Sequence, residues 1–155
     1  MNSEFKNIMD ELPALMERLK KSTPFMKYDL KPTLSQGIYV FYEGDRPMYV
    51  GRSGREGRFK QRIMEHSRPR SGHNTATFAF LIAKKDAENT GIDLNKSRDD
   101  LQGDSDFEPL YTKAKERVSK MQARVIEIPD SITQTLFEVY AALELKTPYN
   151  EWGTH

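Results

Sequence analysis

The sequence predicts one domain in which α-helices surround a few β-strands. Its 155 residues are typical of a single domain, 1–155, large enough to bury about two thirds of its unfolded surface. Residues 37–54 alternate apolar and other side chains on both sides of a turn, which predicts a β-hairpin. Apolar residues recur at helical spacing before and after this hairpin. We therefore expect an α/β fold of the α+β type.

The composition excludes several classes of protein. Hydrophobic residues make up 37% of the chain, charged residues make up 30%, and there is no cysteine. Without cysteine there is no disulfide framework, thiolate nucleophile or cysteine zinc site. No apolar run approaches a membrane span, and the first residues lack the apolar centre of a signal peptide. We expect a cytoplasmic protein with no membrane partner.

Charge is distributed unevenly, although the net charge is only +1. Residues 46–73 contain eight arginines and lysines against two acidic residues. Residues 86–108 contain eight acidic residues against two basic ones. Local patches steer polyanions better than the net charge does. We expect the basic segment to be the functional face, and 86–108 to be an acidic inserted loop on the surface.

The first helix is predicted from seven apolar residues at helical spacing within residues 3–21. Pro13 is compatible either with one helix or with two short ones. We expect this N-terminal extension, 1–22, to cover the core, while a homodimer contact stays open. An extended link follows at 22–36.

The elements after the hairpin are predicted from periodicity and capping signals. Ser131, with Gln134 three residues later, forms a capping box that opens the last helix, which Pro148 ends. The other predicted elements are helices at 57–67, 75–89 and 109–120 and a strand at 123–128.

The hairpin register assigns side chains to the two faces of the sheet. With a turn at 43–47, Tyr42 faces Met48, Val40 faces Val50, Phe41 faces Tyr49 and Tyr39 faces Gly51. Tyr39 and Tyr49 then share one face, diagonally about 7–8 Å apart. Gly51 is expected to leave open space over the Tyr39 ring. Two phenols beside a gap fit either core packing or a site.

A basic stripe is predicted on the helix after the hairpin. Arg58, Arg62 and His66 recur every four residues, so they lie on one helical face. Such a stripe is either a solvated surface or a phosphate clamp, in which Arg62 offers a planar fork to phosphate oxygens. The preceding loop, "GRSGREGR", adds cations but lacks the ending of a Walker loop.

Glu138 lies within "TLFEVYAALEL", a helix that is apolar on nearly every side. A carboxylate in such surroundings needs a partner. It either pairs with an arginine or holds a hard cation such as Mg²⁺, which keeps much of its hydration shell.

These features occur in a recognisable order. Gly37-Ile38-Tyr39, Tyr49-Val50-Gly51, Arg62-x-x-x-His66, Glu138 and Pro148-Tyr149-Asn150 resemble the motifs of the GIY-YIG nuclease family over residues 36–150. The resemblance implies a small antiparallel three-stranded sheet flanked by helices, with 1–22 and 86–108 as additions to the minimal core. It also implies cleavage of DNA with one divalent cation, Mg²⁺ or Mn²⁺, in each active site.

The resemblance assigns a role to each matching position. Tyr39 would be the general base, Tyr49 would position the water or the phosphate, Arg62 would neutralise phosphate charge, His66 would assist proton transfer, Glu138 would hold the metal and Asn150 would brace the site. A tyrosine with a pKa of about 10 is a poor base at neutral pH. Either Arg62 and the metal lower that pKa, or His66 shares the proton.

The predicted DNA contacts surround the second motif: Gly51, Arg52, Arg55, Arg58, Lys60, Arg68 and Arg70. No helix-turn-helix or zinc finger is present to read a sequence in a groove. Two other functions stay open. One is a nucleic-acid-binding module that does not cleave, and the other is an interaction protein that uses the N-terminal helix or the acidic loop.

Overall fold

The computed structural model of the chain describes residues 1–54 and 56–153. These residues form two compact units. The first unit comprises Met1–Lys60 together with the chain from Gln122 onward, and the second is Gln61–Met121. Among the described residues, no helix is both long and apolar enough to cross a membrane.

The first unit is built on a four-stranded antiparallel sheet with strand order β1-β4-β2-β3. The strands are β1 (Phe25–Met26), β2 (Gly37–Glu43), β3 (Arg46–Ser53) and β4 (Gln122–Glu127). The mixed helix and strand class is therefore confirmed, but the expected number of three strands is wrong. The additional strand is β1, which lies in the predicted link at 22–36 and pairs with the first two residues of β4. Two residues are too few to produce a readable alternation.

The hairpin of β2 and β3 has the predicted register at its open end. Tyr39 pairs with Gly51, Val40 with Val50 and Phe41 with Tyr49. The predicted pair of Tyr42 with Met48 is wrong, because a bulge between Phe41 and Tyr42 shifts Tyr42 onto Pro47. The turn is consequently shorter than 43–47, and Glu43 pairs with Arg46. Gly44 at the turn has a φ of 61°, a conformation that glycine adopts without strain.

Two helices cover one face of the sheet. They are α1 (Ser3–Lys21) and α6 (Ser131–Leu145). The core between these helices and the sheet contains Leu12, Met16, Leu19, Ile38, Val40, Val50, Ile126, Ile128, Phe137, Ala141 and Ala142. The expectation that the N-terminal helix covers the core is therefore confirmed. Since Ile38, Val40 and Val50 face these helices, Tyr39 and Tyr49 occupy the opposite face of the hairpin.

Both helices begin at side chains that cap free backbone amides. Asn2 accepts hydrogen bonds from the amides of Glu4 and Phe5, and α1 continues through Pro13 as one helix. Asp130 accepts from the amide and the hydroxyl of Thr133 at the start of α6. The predicted capping box at Ser131 and Gln134 is therefore wrong by one residue. Aspartate is as good an N-cap as serine, and here it makes both bonds.

The second unit is helical. It contains most of α2 (Phe59–Glu65), followed by α3 (Thr77–Ala87), α4 (Arg98–Gln102) and α5 (Glu108–Ser119). Phe80 on α3 packs against Phe107 and Tyr111, with ring centroids 5.3 and 5.7 Å apart. Lys115 on α5 is buried, and its ammonium donates to the carbonyls of Pro69 and Ser71. These bonds fasten the loop after α2 to α5.

The acidic segment 86–108 is more ordered than the predicted surface loop. It contains α4, and two of its apolar side chains, Leu101 and Phe107, are buried. Asp99 on α4 lies 2.5 Å from Nε2 of His73, and Gln102 accepts a hydrogen bond from the His73 amide. Where a long surface loop was expected, the segment thus contains a short helix and buried side chains. Two isolated apolar residues give no periodicity, yet each is sufficient to anchor a short segment.

Candidate active site

Tyr39 lies against Gly51 across the hairpin. A Cβ atom at Gly51 would collide with the ring and the hydroxyl oxygen of Tyr39, so the ring occupies the space that a side chain would fill. The expectation of open space over the ring is therefore wrong. Tyr39 is only 1% exposed, and its ring lies 5.6 Å from that of Phe41 and 6.3 Å from that of Phe59. The glycine brings the phenol close to the backbone of β3.

Tyr49 is on the same face of the hairpin as Tyr39 and is half-buried. It pairs directly with Phe41, and Tyr39 pairs with Gly51 two residues further along β3. The structure therefore has the two tyrosines in the diagonal arrangement that the alternation predicts.

Asn150 braces the edge strand. Its side-chain oxygen accepts from the Val50 amide at 2.9 Å, and its side-chain nitrogen donates to the Val50 carbonyl at 2.8 Å. The hydroxyl of Thr147 donates to the same oxygen of Asn150 at 2.7 Å. An edge strand otherwise leaves such backbone groups without partners in the sheet. Asn150 thus ties the end of the chain to the middle of β3.

Glu138 faces Arg52 at the end of β3. The Arg52 Nε lies 3.5 Å from a Glu138 carboxylate oxygen, and the two side chains are 41% and 19% exposed. Burial raises the pKa of the Glu138 carboxyl above its ordinary value, while the charge of Arg52 partly lowers it. Glu138 was expected either to pair with an arginine or to hold a metal, and in this structure its neighbour is Arg52.

Gln134 is a polar residue of this region that sequence reasoning used only as a cap. It lies one helical turn before Glu138 on α6 and is fully buried. Its Nε2 donates to the Ile128 carbonyl at 2.6 Å, whereas Oε1 has no hydrogen-bond partner in the part of the chain that the structure describes. The available signal was its spacing, since a polar residue four positions from Glu138 shares its helical face.

The oxygen atoms near Glu138 suit a hard divalent cation. Carboxylate and amide oxygens are the ligands that Mg²⁺ and Mn²⁺ accept, and Mg²⁺ commonly uses few protein ligands. Within residues 1–54 and 56–153, no group of three or more histidine, aspartate or glutamate side chains converges on one point. A cation here would be held by Glu138 and by few other protein atoms.

Arg62 and His66 belong to the second unit. Arg62 lies on α2, where its guanidinium donates to the Thr75 carbonyl at 2.6 Å and lies 3.8 Å from the Glu65 carboxylate. The helix ends at Glu65, so the predicted single stripe of Arg58, Arg62 and His66 is wrong. Arg58 precedes the helix, and His66 lies in the turn that follows it.

The imidazole of His66 is fully buried. Burial lowers its pKa well below the ordinary value, and the charge of Arg62 lowers it further. The ring is therefore neutral at physiological pH. A neutral imidazole has one N–H that can donate a hydrogen bond and one nitrogen that can accept one, but it lacks the acidic proton of the imidazolium.

The predicted DNA contacts differ in exposure. Arg52, Arg68 and Arg70 are exposed, while Arg58 and Lys60 are half-buried. The Lys60 ammonium donates to the Tyr28 carbonyl at 3.3 Å. Arg55 lies outside the described residues. The exposed arginines are the side chains best able to reach a phosphate backbone.

Comparisons of this chain with protein-family models, with curated proteins and with solved structures give no match. The resemblance to GIY-YIG nucleases therefore depends on the motif residues and on the arrangement of those in the first unit.

Proposed function

We propose that this protein is a divalent-metal-dependent endonuclease that hydrolyses DNA phosphodiester bonds. One observation carries the proposal: three successive residues of β3 each meet a residue of a different motif. Val50 is bonded to Asn150, Gly51 lies under Tyr39, and Arg52 pairs with Glu138. Tyr39 reaches Gly51 through the hairpin itself, while Glu138 and Asn150 come from distant parts of the sequence to neighbouring positions of β3, which supports the proposal.

The residues of the first unit suit parts of a hydrolytic site. Asn150 holds β3 in place, and Gly51 allows the Tyr39 phenol to approach the strand. Arg52 offers a planar fork that matches the oxygens of a phosphate. An Mg²⁺ or Mn²⁺ ion bound at Glu138 would supply charge neutralisation at the phosphate and at the departing oxygen. Tyr39 and Tyr49 lie on the opposite face of the hairpin from Arg52 and α6, so they would orient the attacking water across the edge strand β3.

The resemblance adds Arg62 and His66 to this chemistry. Arg62 would stabilise negative charge on the phosphate, because a guanidinium is always charged at neutral pH. His66 would orient a hydrogen bond, because burial keeps its imidazole neutral.

The second candidate function is a nucleic-acid-binding module that does not cleave. The burial of Tyr39 favours this reading, because a phenol that is 1% exposed and packed beside Phe41 and Phe59 resembles a core residue. The exposed arginines Arg68 and Arg70 would serve a binding module equally well. The two functions differ in whether phosphodiester bonds are broken.

The test is cleavage of supercoiled plasmid with and without Mg²⁺. Glu138→Gln removes the charge at nearly constant volume, and Glu144→Gln on the exposed side of the same helix is the matched control. We expect metal-dependent nicking or linearisation by the wild type and by Glu144→Gln, and at least about a hundredfold loss for Glu138→Gln. Salt-dependent DNA binding without cleavage on plasmid, single-stranded and branched DNA would favour the binding module instead.

A further inference from the structure

Gln134 has one buried atom whose bonding is incomplete. Its side chain is fully buried, and Nε2 is committed to the Ile128 carbonyl at 2.6 Å. That bond defines the orientation of the amide, because a carbonyl accepts only from nitrogen and not from Oε1. Oε1 is left without a hydrogen-bond partner among the residues that the structure describes. Buried acceptors are rarely left in this condition, so the atom needs an explanation.

Oε1 of Gln134 and the guanidinium of Arg52 both border the space beside Gly54. Gln134 and Glu138 are four residues apart on α6 and therefore project from the same face of the helix. A Cβ atom at Gly54 would stand 3.6 Å from Oε1 of Gln134 and 3.3 Å from Nη1 of Arg52. The amide oxygen and the guanidinium thus border the same space after β3, and the Glu138 carboxylate is connected to it through its ion pair with Arg52.

The two partners of the ion pair differ in their freedom to move. Arg52 is on the edge strand with a side chain that is 41% exposed, whereas Glu138 is held on α6 with 19% exposure. An ion pair with a half-exposed arginine contributes little free energy, because water and salt screen it. Arg52 is therefore the weakly held partner, whereas the Gln134 amide is bonded to the Ile128 carbonyl and Glu138 lies on α6.

We propose that Gln134 Oε1 is a second oxygen ligand for the cation held by Glu138. Arg52 forms its ion pair with Glu138 only until that cation binds. The proposal rests on the proposed nuclease function, since it assigns Arg52 to the DNA phosphate once it is released. Two oxygen donors together with retained water molecules are a usual set for Mg²⁺. Arg52 is then free to make a forked contact with phosphate.

This exchange couples cation binding to DNA binding. Because Arg52 competes with the cation for Glu138, DNA that draws Arg52 away raises the affinity for the cation. By linkage, the cation raises the affinity for DNA by the same factor. The device would keep the site inactive until both the cation and the DNA are present.

The test measures Mn²⁺ binding to the whole protein by calorimetry without DNA. Gln134→Met removes the donor at similar volume, and Gln36→Met is the matched control, because the Gln36 amide also donates to a backbone carbonyl, that of Pro129. We expect Gln134→Met to weaken Mn²⁺ binding about tenfold, the scale of a lost supporting ligand, and Gln36→Met to leave it unchanged. Glu138→Gln should abolish binding. Circular dichroism and thermal melting establish that each variant is folded.

Arg52→Gln should change the Mn²⁺ affinity in the opposite direction to Gln134→Met, and it alters an exposed side chain rather than the core. Removing the competitor should strengthen Mn²⁺ binding roughly two- to fivefold, as expected for a screened ion pair. Equal affinity of Gln134→Met and Gln36→Met, or an unchanged or weaker affinity of Arg52→Gln, would overturn the inference. If the inference about Gln134 and Arg52 fails but Glu138→Gln still loses both Mn²⁺ binding and cleavage, the proposed nuclease function stands. A wild type that binds no Mn²⁺ would refute both.

Discussion

Replacing Gly51 with alanine should displace the ring of Tyr39. A Cβ atom at this position would collide with three atoms of the phenol, including the hydroxyl oxygen. The backbone of Gly51 is not in the left-handed region, so the substitution adds a methyl group without backbone strain. Any loss of stability therefore reports the collision itself.

The magnitude follows from how tightly the ring is enclosed. Carbon atoms rest about 3.5–4.0 Å apart, so the ring or the strand must move by roughly an ångström. Tyr39 is 1% exposed and packs against Phe41 and Phe59, which leaves the ring little room. Overpacking of this kind typically costs about 1–3 kcal/mol. We expect Gly51→Ala to lower the free energy of unfolding by about 2 kcal/mol.

Urea denaturation followed by circular dichroism measures this loss, and a double-mutant cycle identifies its cause. In a Tyr39→Leu background the shorter side chain should relieve the collision, so Gly51→Ala should then cost less than about 0.5 kcal/mol. Gly103→Ala is the matched control, because its Cβ would meet neighbours only at ordinary distances of 3.6 Å or more. An equal cost of Gly51→Ala in both backgrounds would refute the packing argument.

Three further predictions concern the brace, the second unit and pH. Asn150→Ala leaves the amide and the carbonyl of Val50 without their partners, so it should lower the free energy of unfolding by about 1–2 kcal/mol in urea denaturation. Asn89 is exposed, so Asn89→Ala should leave that free energy unchanged. Lys115→Met leaves the carbonyls of Pro69 and Ser71 without their donor and should lower the free energy of unfolding by about 1–3 kcal/mol. Lys113 is exposed on the same helix, so Lys113→Met should leave stability unchanged. Equal melting temperatures of the two variants would contradict this prediction. Burial lowers the pKa of His66 in the native protein. Below about pH 6.5 the unfolded chain therefore binds a proton that the native protein does not bind. The free energy of unfolding should consequently fall as pH falls towards the native pKa. His66→Gln should flatten this part of a pH series of urea unfolding, and an unchanged slope would count against the buried neutral imidazole.

Local sequence signals predicted those parts of the fold that depend on neighbours along the chain. The two-residue period of Tyr39, Val40 and Phe41 predicted which side chains share a face, because a shift of one residue would move every side chain to the other face. The bulge before Tyr42 was not predicted, since it depends on how the turn closes. Strand β1 and the buried Phe107 were missed for a related reason: two residues or one residue have no period.

The candidate site divides in the same way. The sequence by itself determined the order of the motifs, the shared face of Tyr39 and Tyr49, and the need of Glu138 for a partner in an apolar helix. Only the tertiary structure decided that this partner is Arg52, because the two residues are distant in sequence and meet through the packing of α6 against the sheet. It also decided that the Tyr39 ring is buried against Gly51, and that Gln134 Oε1 has no hydrogen-bond partner among the described residues. Burial depends on every element packed around a side chain.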